Sequence, residues 1–123
     1  MDPRVDPKSL DHRQYERRPD YALGAHVAPL GLAFSHGQAL GKPFATGAVV
    51  ARHGSWNRQP LSGYDVVYVN FNQRGEPEGK PSTILSGFVD DEKMARGRPA
   101  MVAFDQTGAL LVSDAVGGII WRV

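Results

Sequence analysis

The sequence predicts an all-β fold made of short strands in two consecutive groups. Runs rich in Val, Ile, Leu, Tyr and Phe recur through residues 21–123, and clusters of turn-forming residues separate them. No segment keeps a helical period over three turns. The predicted strands are GLAF (31–34), GAVVA (47–51), YDVVYVNF (64–71), STILSGFV (82–89), AMVAF (100–104), ALLVS (109–113) and GIIWRV (118–123).

Residues 1–20 differ in composition from the rest of the chain. They hold five basic and five acidic side chains and three prolines, and their few apolar residues have no helical or strand period. We expect an arm or connecting loop over residues 1–20, with a short helix near residues 9–17 as the alternative. Residues 21–123 then form the β body.

The connections between the runs support these strand boundaries. They are rich in Gly, Pro, Asn, Asp and Ser, which supply the backbone conformations that turns require. In chain order they are SHGQALGKP (35–43), QPLSG (59–63), NQRGEPEGKP (72–81), DQTG (105–108) and DAVGG (114–118).

An internal repeat organises the strands. PLGLAF (29–34) matches PAMVAF (99–104), and each copy continues into Gly-Ala plus two branched aliphatic residues and then into a third strand. Such self-similarity is typical of propeller blades. The predicted fold is therefore a partial β-propeller, with one complete four-stranded blade and a three-stranded, incomplete last blade. Two blades leave apolar faces uncovered, which favours a piece of a larger ring or self-association through those faces.

Composition excludes several classes of protein. The formal net charge of +1 argues against a nucleic-acid binder, and the absence of cysteine excludes disulfides and thiolate metal sites. No run approaches the roughly 18 apolar residues of a membrane span, and the N-terminus of this chain carries no export signal. The four histidines lack a metal-binding spacing, and Ser55 lacks the G-x-S-x-G context of a hydrolase nucleophile.

Two loops carry more chemistry than a turn requires. RHGSWNR (52–58) follows the second strand, and KMARGRP (93–99) leads into the fifth. Arg96 and Arg98 are spaced for the same side of a strand, where paired guanidinium groups suit a ligand with several carboxylates. The alternative is a solvated pair with residues 90–92. Similarly, Trp56 and Asn57 in the first loop would otherwise cap the core and set a turn.

These segments also carry a family resemblance. DYALGAHVAPLGLAF (20–34), GAVVARHGSWNRQPLSGYDVVYVNF (47–71) and GRPAMVAFDQTGALLVSDAVGGIIWRV (97–123) resemble the C-terminal part of sorbosone dehydrogenase-like proteins, within the glucose/sorbosone dehydrogenases. The resemblance covers residues 19–123, which correspond to about a third of the length of a typical family member. It implies a six-bladed propeller that binds pyrroloquinoline quinone (PQQ), usually with calcium. Such enzymes oxidise a sugar hydroxyl or aldehyde and pass electrons to a separate acceptor.

The resemblance also implies site residues. Arg96 and Arg98 match the Arg-x-Arg that binds the quinone at the start of the last blade in the glucose dehydrogenase branch. His26 lies in a segment that lines the quinone site there. Either His53 or Arg58 matches a basic residue of the loop between the second and third strands.

Other family features fall outside this chain. The catalytic histidine and the calcium-binding loop lie in earlier blades, so no catalytic base and no metal ligand is assigned here. The family members are periplasmic, and Met1 matches a position in the middle of one. The leading hypothesis is a C-terminal fragment of a PQQ-dependent sugar dehydrogenase that holds part of the quinone site and is inactive alone. The alternative is a non-enzymatic β-repeat module that binds a partner protein through its open blade faces and edge.

Overall fold

A computed structural model describes residues 17–36, 40–90 and 93–123. The arm predicted over residues 1–20 and its alternative short helix lie almost wholly outside the described residues. Within them, seven strands form two antiparallel sheets. The strands are β1 (Pro29–His36), β2 (Thr46–Arg52), β3 (Asp65–Phe71), β4 (Pro77–Leu85), β5 (Pro99–Phe104), β6 (Leu110–Asp114) and β7 (Ile119–Arg122).

The strand order confirms the predicted blades. The first sheet has the order β1-β2-β3-β4 and the second has the order β5-β6-β7. A single turn of 3-10 helix, Lys42–Phe44, lies between β1 and β2. No helix among the described residues has the length and hydropathy needed to cross a membrane.

The fourth strand starts earlier than the sequence predicts. It was expected over residues 82–89, and it runs from Pro77 to Leu85. The turn before it is only Asn72 to Glu76, where the Asn72 carboxamide oxygen accepts the backbone N–H groups of Arg74 (2.9 Å) and Glu76 (3.1 Å). Because β4 is an edge strand, Pro77 can lie within it without removing an N–H that the ladder needs.

The core lies between the two sheets. Alternate residues of the first sheet face alternate residues of the second, as the period of two requires. Side chains from β2 and β3 meet those of β5 and β6, and this cluster consists of Val49, Ala51, Val66, Tyr68, Val102, Leu110 and Val112.

Strand β1 of the first sheet approaches strand β5 of the second so closely that position 31 must be glycine. A Cβ atom at Gly31 of β1 would lie 2.6–2.8 Å from the backbone of residues 100–102 in β5. Backbone atoms of a paired strand cannot rotate away as a side chain can.

We therefore expect Gly31→Ala to destabilise the chain by about 1–3 kcal/mol, the usual cost of overpacking. Urea unfolding followed by circular dichroism measures this loss. Gly75→Ala is the matched control, because its Cβ would meet open space, although its φ of 75° adds local strain. A loss in Gly31→Ala no larger than that in Gly75→Ala would show that the close approach of the sheets adds nothing beyond ordinary local strain.

Candidate functional site

The loop after β2 is fastened to the segment that precedes β1. The backbone N–H of His53 donates to the Ala28 carbonyl (3.0 Å), and that of Gly54 donates to the Val27 carbonyl (2.9 Å). Gly54 has a φ of 97°, and a Cβ there would lie 2.3–2.7 Å from the Tyr64 ring. The glycine of HGSW is thus required by backbone conformation and by contact with that ring.

Two serines close the base of this loop. Ser55 donates its backbone N–H to the Ser62 carbonyl (2.9 Å), and Ser62 donates its own N–H to Ser55 Oγ (3.1 Å). Ser62 Oγ also donates to the Ala25 carbonyl (3.3 Å). Residues 56–61, between the two serines, form a short loop that we call the Trp56 loop.

Arg98 joins the two sheets at this loop. Its Nη2 donates to the Ser55 carbonyl (2.6 Å) and to the Tyr64 hydroxyl (2.8 Å), and its guanidinium carbon lies 5.1 Å from the centre of the Tyr64 ring. The Tyr64 hydroxyl also donates to the Ser55 carbonyl. Arg98 therefore stands at the sheet junction, while its Nε and Nη1 have no protein partner among the described residues.

Asp114, at the end of β6, holds the backbone of Arg98. Its Oδ1 accepts the N–H groups of Arg98 (2.8 Å), Val116 (3.0 Å) and Gly117 (3.0 Å). A Cβ atom at Gly97 would lie 2.3 Å from Asp114 Oδ2. The glycine between the two arginines therefore leaves the room that the Asp114 carboxylate needs to reach the backbone of Arg98. Burial raises the pKa of Asp114, but the hydrogen bonds from Gly117, Arg98 and Val116 outweigh it, so its pKa lies below the usual value.

This pKa predicts a loss of stability in acid. A carboxyl with a depressed pKa in the folded state stabilises the protein above its unfolded value, near 3.9, and loses that contribution as pH falls toward the folded pKa. We expect Asp114→Asn to be less stable than the parent chain at pH 7, with a smaller difference at pH 3. Urea unfolding at both values measures this. A difference that grows in acid would contradict the assignment.

Arg96 has a separate partner. Its Nε donates to Asp90 Oδ2 at 3.2 Å, and its side chain is 72% exposed. Its backbone N–H donates to the Phe88 carbonyl (2.9 Å), outside strand β5. Arg96 thus forms the ion pair that the sequence offered as an alternative, although its partner Asp90 is only 15% exposed. Arg98 is instead directed toward the first sheet.

His53 lies beside the start of β5. Its Nδ1 is 3.2 Å from the Pro99 carbonyl oxygen, and the side chain is half-buried. Because a carbonyl only accepts hydrogen bonds, this contact assigns the proton to Nδ1. In the neutral ring, Nε2 is then an acceptor, and it has no partner in the part of the chain that the structure describes. The structure therefore brings His53 and Arg98 to the same junction.

His26 and Arg58 are exposed near the same loop. His26 has a φ of 62°, and it follows Ala25, whose carbonyl is bonded to Ser62. Arg58 lies in the Trp56 loop, and neither side chain has a hydrogen-bond partner among residues 17–36, 40–90 and 93–123. Both are free to meet a ligand, and neither is directed by the protein. Trp56 is 83% exposed, so the alternative in which it caps the core is wrong.

Sequence reasoning missed an ion pair between β2 and β3, directly before His53 in the chain. Arg52 donates from Nε to Asp65 Oδ1 (2.7 Å) and from Nη2 to Oδ2 (2.5 Å), and Nη1 reaches the Leu23 carbonyl (3.3 Å). The hydrogen bonds and charge of Asp65 raise the pKa of Arg52 despite its burial. These residues are cross-strand partners at the ends of β2 and β3. That pairing of opposite charges at adjacent strand ends was the available signal.

The described residues provide no cluster of three or more His, Asp or Glu side chains that could hold a metal ion. Calcium ligands are accordingly assigned to none of these residues. The protein groups at the junction are guanidinium, imidazole and backbone groups, which suit an anionic ligand.

Two packed sheets with a repeated strand pattern define this chain as part of a β-propeller. It belongs to the TrAA12-like family, whose model matches residues 8–123. It is 35% identical over 103 residues to an uncharacterized protein of Borreliella burgdorferi, covering 84% of this chain and 27% of that protein. It is 39% identical over 69 residues to a pyrroloquinoline quinone-dependent pyranose dehydrogenase of Coprinopsis cinerea, covering 56% of this chain and 9% of the relative.

A solved structure agrees with these relatives. The holo form of the pyranose dehydrogenase PQQ domain from Coprinopsis cinerea superposes with a TM-score of 0.62 at 30% identity, covering 79% of this chain and 26% of that one. The predicted likeness to PQQ-dependent sugar dehydrogenases is confirmed. The chain spans about a quarter of the length of the Borreliella relative and of the solved domain.

Proposed function

We propose that this chain supplies part of the PQQ site of a sugar dehydrogenase. The observation that carries the proposal is Arg98, held at the junction of the sheets by Nη2 while its Nε and Nη1 have no protein partner among the described residues. A guanidinium fixed at one end is prepared to bind a carboxylate at the other, because little side-chain freedom is left to lose.

The donor set fits the chemistry of this cofactor. PQQ combines three carboxylates with a flat aromatic system, and Arg98 and Arg58 offer the cations that such carboxylates require. His53 offers an imidazole edge of fixed orientation, since its Nδ1 is engaged by the Pro99 carbonyl. His26 lies on the adjoining segment. Arg96 would join the set by exchanging Asp90 for a ligand carboxylate, an exchange that its exposure allows.

Bound PQQ supplies the redox chemistry, taking two electrons from the sugar. The role we assign to this chain is to bind and orient, with Arg98 and His53 as the fixed contacts. The catalytic base and the calcium ligands are assigned to earlier blades of the whole enzyme, as the family resemblance implies. The sugar substrate, the separate electron acceptor and the periplasmic location of the whole enzyme remain predictions of that resemblance.

A titration of the purified chain with PQQ tests the proposal. We expect saturable quenching of tryptophan fluorescence, because Trp56 lies next to the residue whose carbonyl Arg98 binds. Citrate, which has three carboxylates and no ring, controls for simple charge attraction. Arg74→Ala is the matched control variant, since Arg74 is an exposed cation paired with Glu76 at the opposite end of the sheet. Quenching that citrate removes at equal concentration, or none by a folded chain, would overturn the proposal.

A second candidate function is a module that binds a partner protein. It is favoured by exposed apolar side chains at both outer surfaces, among them Leu32 on β1 and Ile120 on the edge strand β7. An open edge strand and an apolar face can both be covered by another chain. A stable oligomer or complex formed by a chain with no PQQ affinity would favour this function over the first.

A further inference from the structure

Trp56 is displayed to solvent in an unusual way. It is 83% exposed, the highest fraction among the large apolar side chains of the described residues. Its neighbour Ser55 is only 3% exposed. Two adjacent residues thus differ sharply in exposure, because Ser55 is buried and the indole of Trp56 lies largely in solvent.

The base that displays the indole is firmly held. Ser55 and Ser62 are joined by two hydrogen bonds, and the Ser55 carbonyl accepts from Arg98 and from the Tyr64 hydroxyl. Ser55 thus uses its N–H, its hydroxyl and its carbonyl at once. The backbone from which Trp56 projects is therefore already ordered. Binding of a ligand to the indole then costs the protein little conformational entropy at this point of the loop.

The rest of the Trp56 loop is polar and exposed. Asn57, Arg58 and Gln59 follow the indole, and all three are exposed. Amide side chains both donate and accept hydrogen bonds, and a guanidinium donates up to five. An exposed indole followed in the chain by hydrogen-bond donors and acceptors matches a pyranose, which has an apolar C–H face and a rim of hydroxyl groups.

We propose that the Trp56 loop is a sugar-binding arm, with the Trp56 indole as the platform for the pyranose ring and Asn57 and Gln59 as partners for its hydroxyl groups. This rests on the proposed function and adds to it the place where the substrate is held. Arg98 donates to the carbonyl of Ser55, the residue directly before Trp56. The guanidinium that we assign to the cofactor and the loop that we assign to the sugar are therefore in contact through Ser55. That arrangement places the sugar beside the quinone site.

Saturation-transfer NMR with glucose and cellobiose tests the arm, because it reports contact between protein and sugar in fast exchange. We expect transfer to the C–H protons of both sugars, falling at least about fivefold in Trp56→Ala and only partly in Trp56→Phe, which keeps an aromatic face. Ile120→Ala is the matched control, since Ile120 is 70% exposed on β7, outside the arm. In the Trp121→Phe background Trp56 is the sole indole, and its emission should shift to the blue as sugar binds.

The PQQ titration of the parent chain, which keeps the Trp56 reporter, separates the two proposals. PQQ binding with sugar transfer that Trp56→Ala leaves unchanged would overturn the arm and leave the proposed function standing. Transfer that depends on Trp56 in a chain with no affinity for PQQ would support the arm and overturn the quinone site. A blue shift that grows with the concentration of this chain and not with sugar would overturn the arm in favour of a contact between copies of the chain.

Discussion

Replacing Arg98 with alanine is expected to lower the affinity for PQQ at least about tenfold, a loss of about 1.4 kcal/mol. The variant removes the guanidinium that has free donors at the junction, and it also removes the donor to Ser55 and Tyr64. Leaving these acceptors without that donor should cost about 1–3 kcal/mol of unfolding free energy. Fluorescence titration and urea unfolding measure the two effects separately.

Arg98→Lys distinguishes binding from folding. Lysine keeps the positive charge but not the planar fork that bonds the Ser55 carbonyl and stacks on Tyr64. We expect it to recover part of the stability and little of the affinity. Arg74→Ala is the matched control, with a stability change within about 0.5 kcal/mol because its ion pair with Glu76 is exposed. An affinity loss as large in Arg74→Ala as in Arg98→Ala would show that the fixed guanidinium has no special role.

Asp65→Ala is expected to give the largest loss of stability, about 3 kcal/mol, because it leaves the Arg52 charge without its counter-ion. The side chains of Arg52 and Asp65 are 17% and 12% exposed, so water cannot fully replace the lost bonds. Freed from Asp65, Arg52 also loses the orientation that directs Nη1 to the Leu23 carbonyl. The segment before β1, including His26, should then loosen, which hydrogen exchange of residues 53 and 54 would report.

The double variant Arg52→Met/Asp65→Leu completes this experiment. Replacing both charges by apolar side chains of similar size should restore most of the stability lost in Asp65→Ala, since no buried charge is then unpaired. Glu76→Ala is the control, because its pair with Arg74 is exposed and contributes little. A double variant no more stable than Asp65→Ala would show that the ion pair itself, and not the stranded charge, sets the cost.

The sequence determined the strands, their grouping and the family. Period-two patterns and turn residues act over a few positions, so they can be read without knowing the fold. The repeat PLGLAF/PAMVAF predicted two blades, and four- and three-stranded sheets are present. The fourth strand was misplaced because Pro77 and Pro81 suggest a turn, and only the position of β4 at the edge of its sheet explains why they are tolerated.

Tertiary structure decided what the site residues contact. Arg96 and Arg98 are equivalent by sequence spacing, yet one pairs with Asp90 six residues away and the other reaches Ser55, 43 residues away. The display of Trp56 was equally beyond the local pattern. The contact between Arg98 and Ser55 depends on how the second sheet docks on the first. That docking is set by the many apolar contacts of the whole core and by the close approach at Gly31, and no short stretch of sequence encodes it.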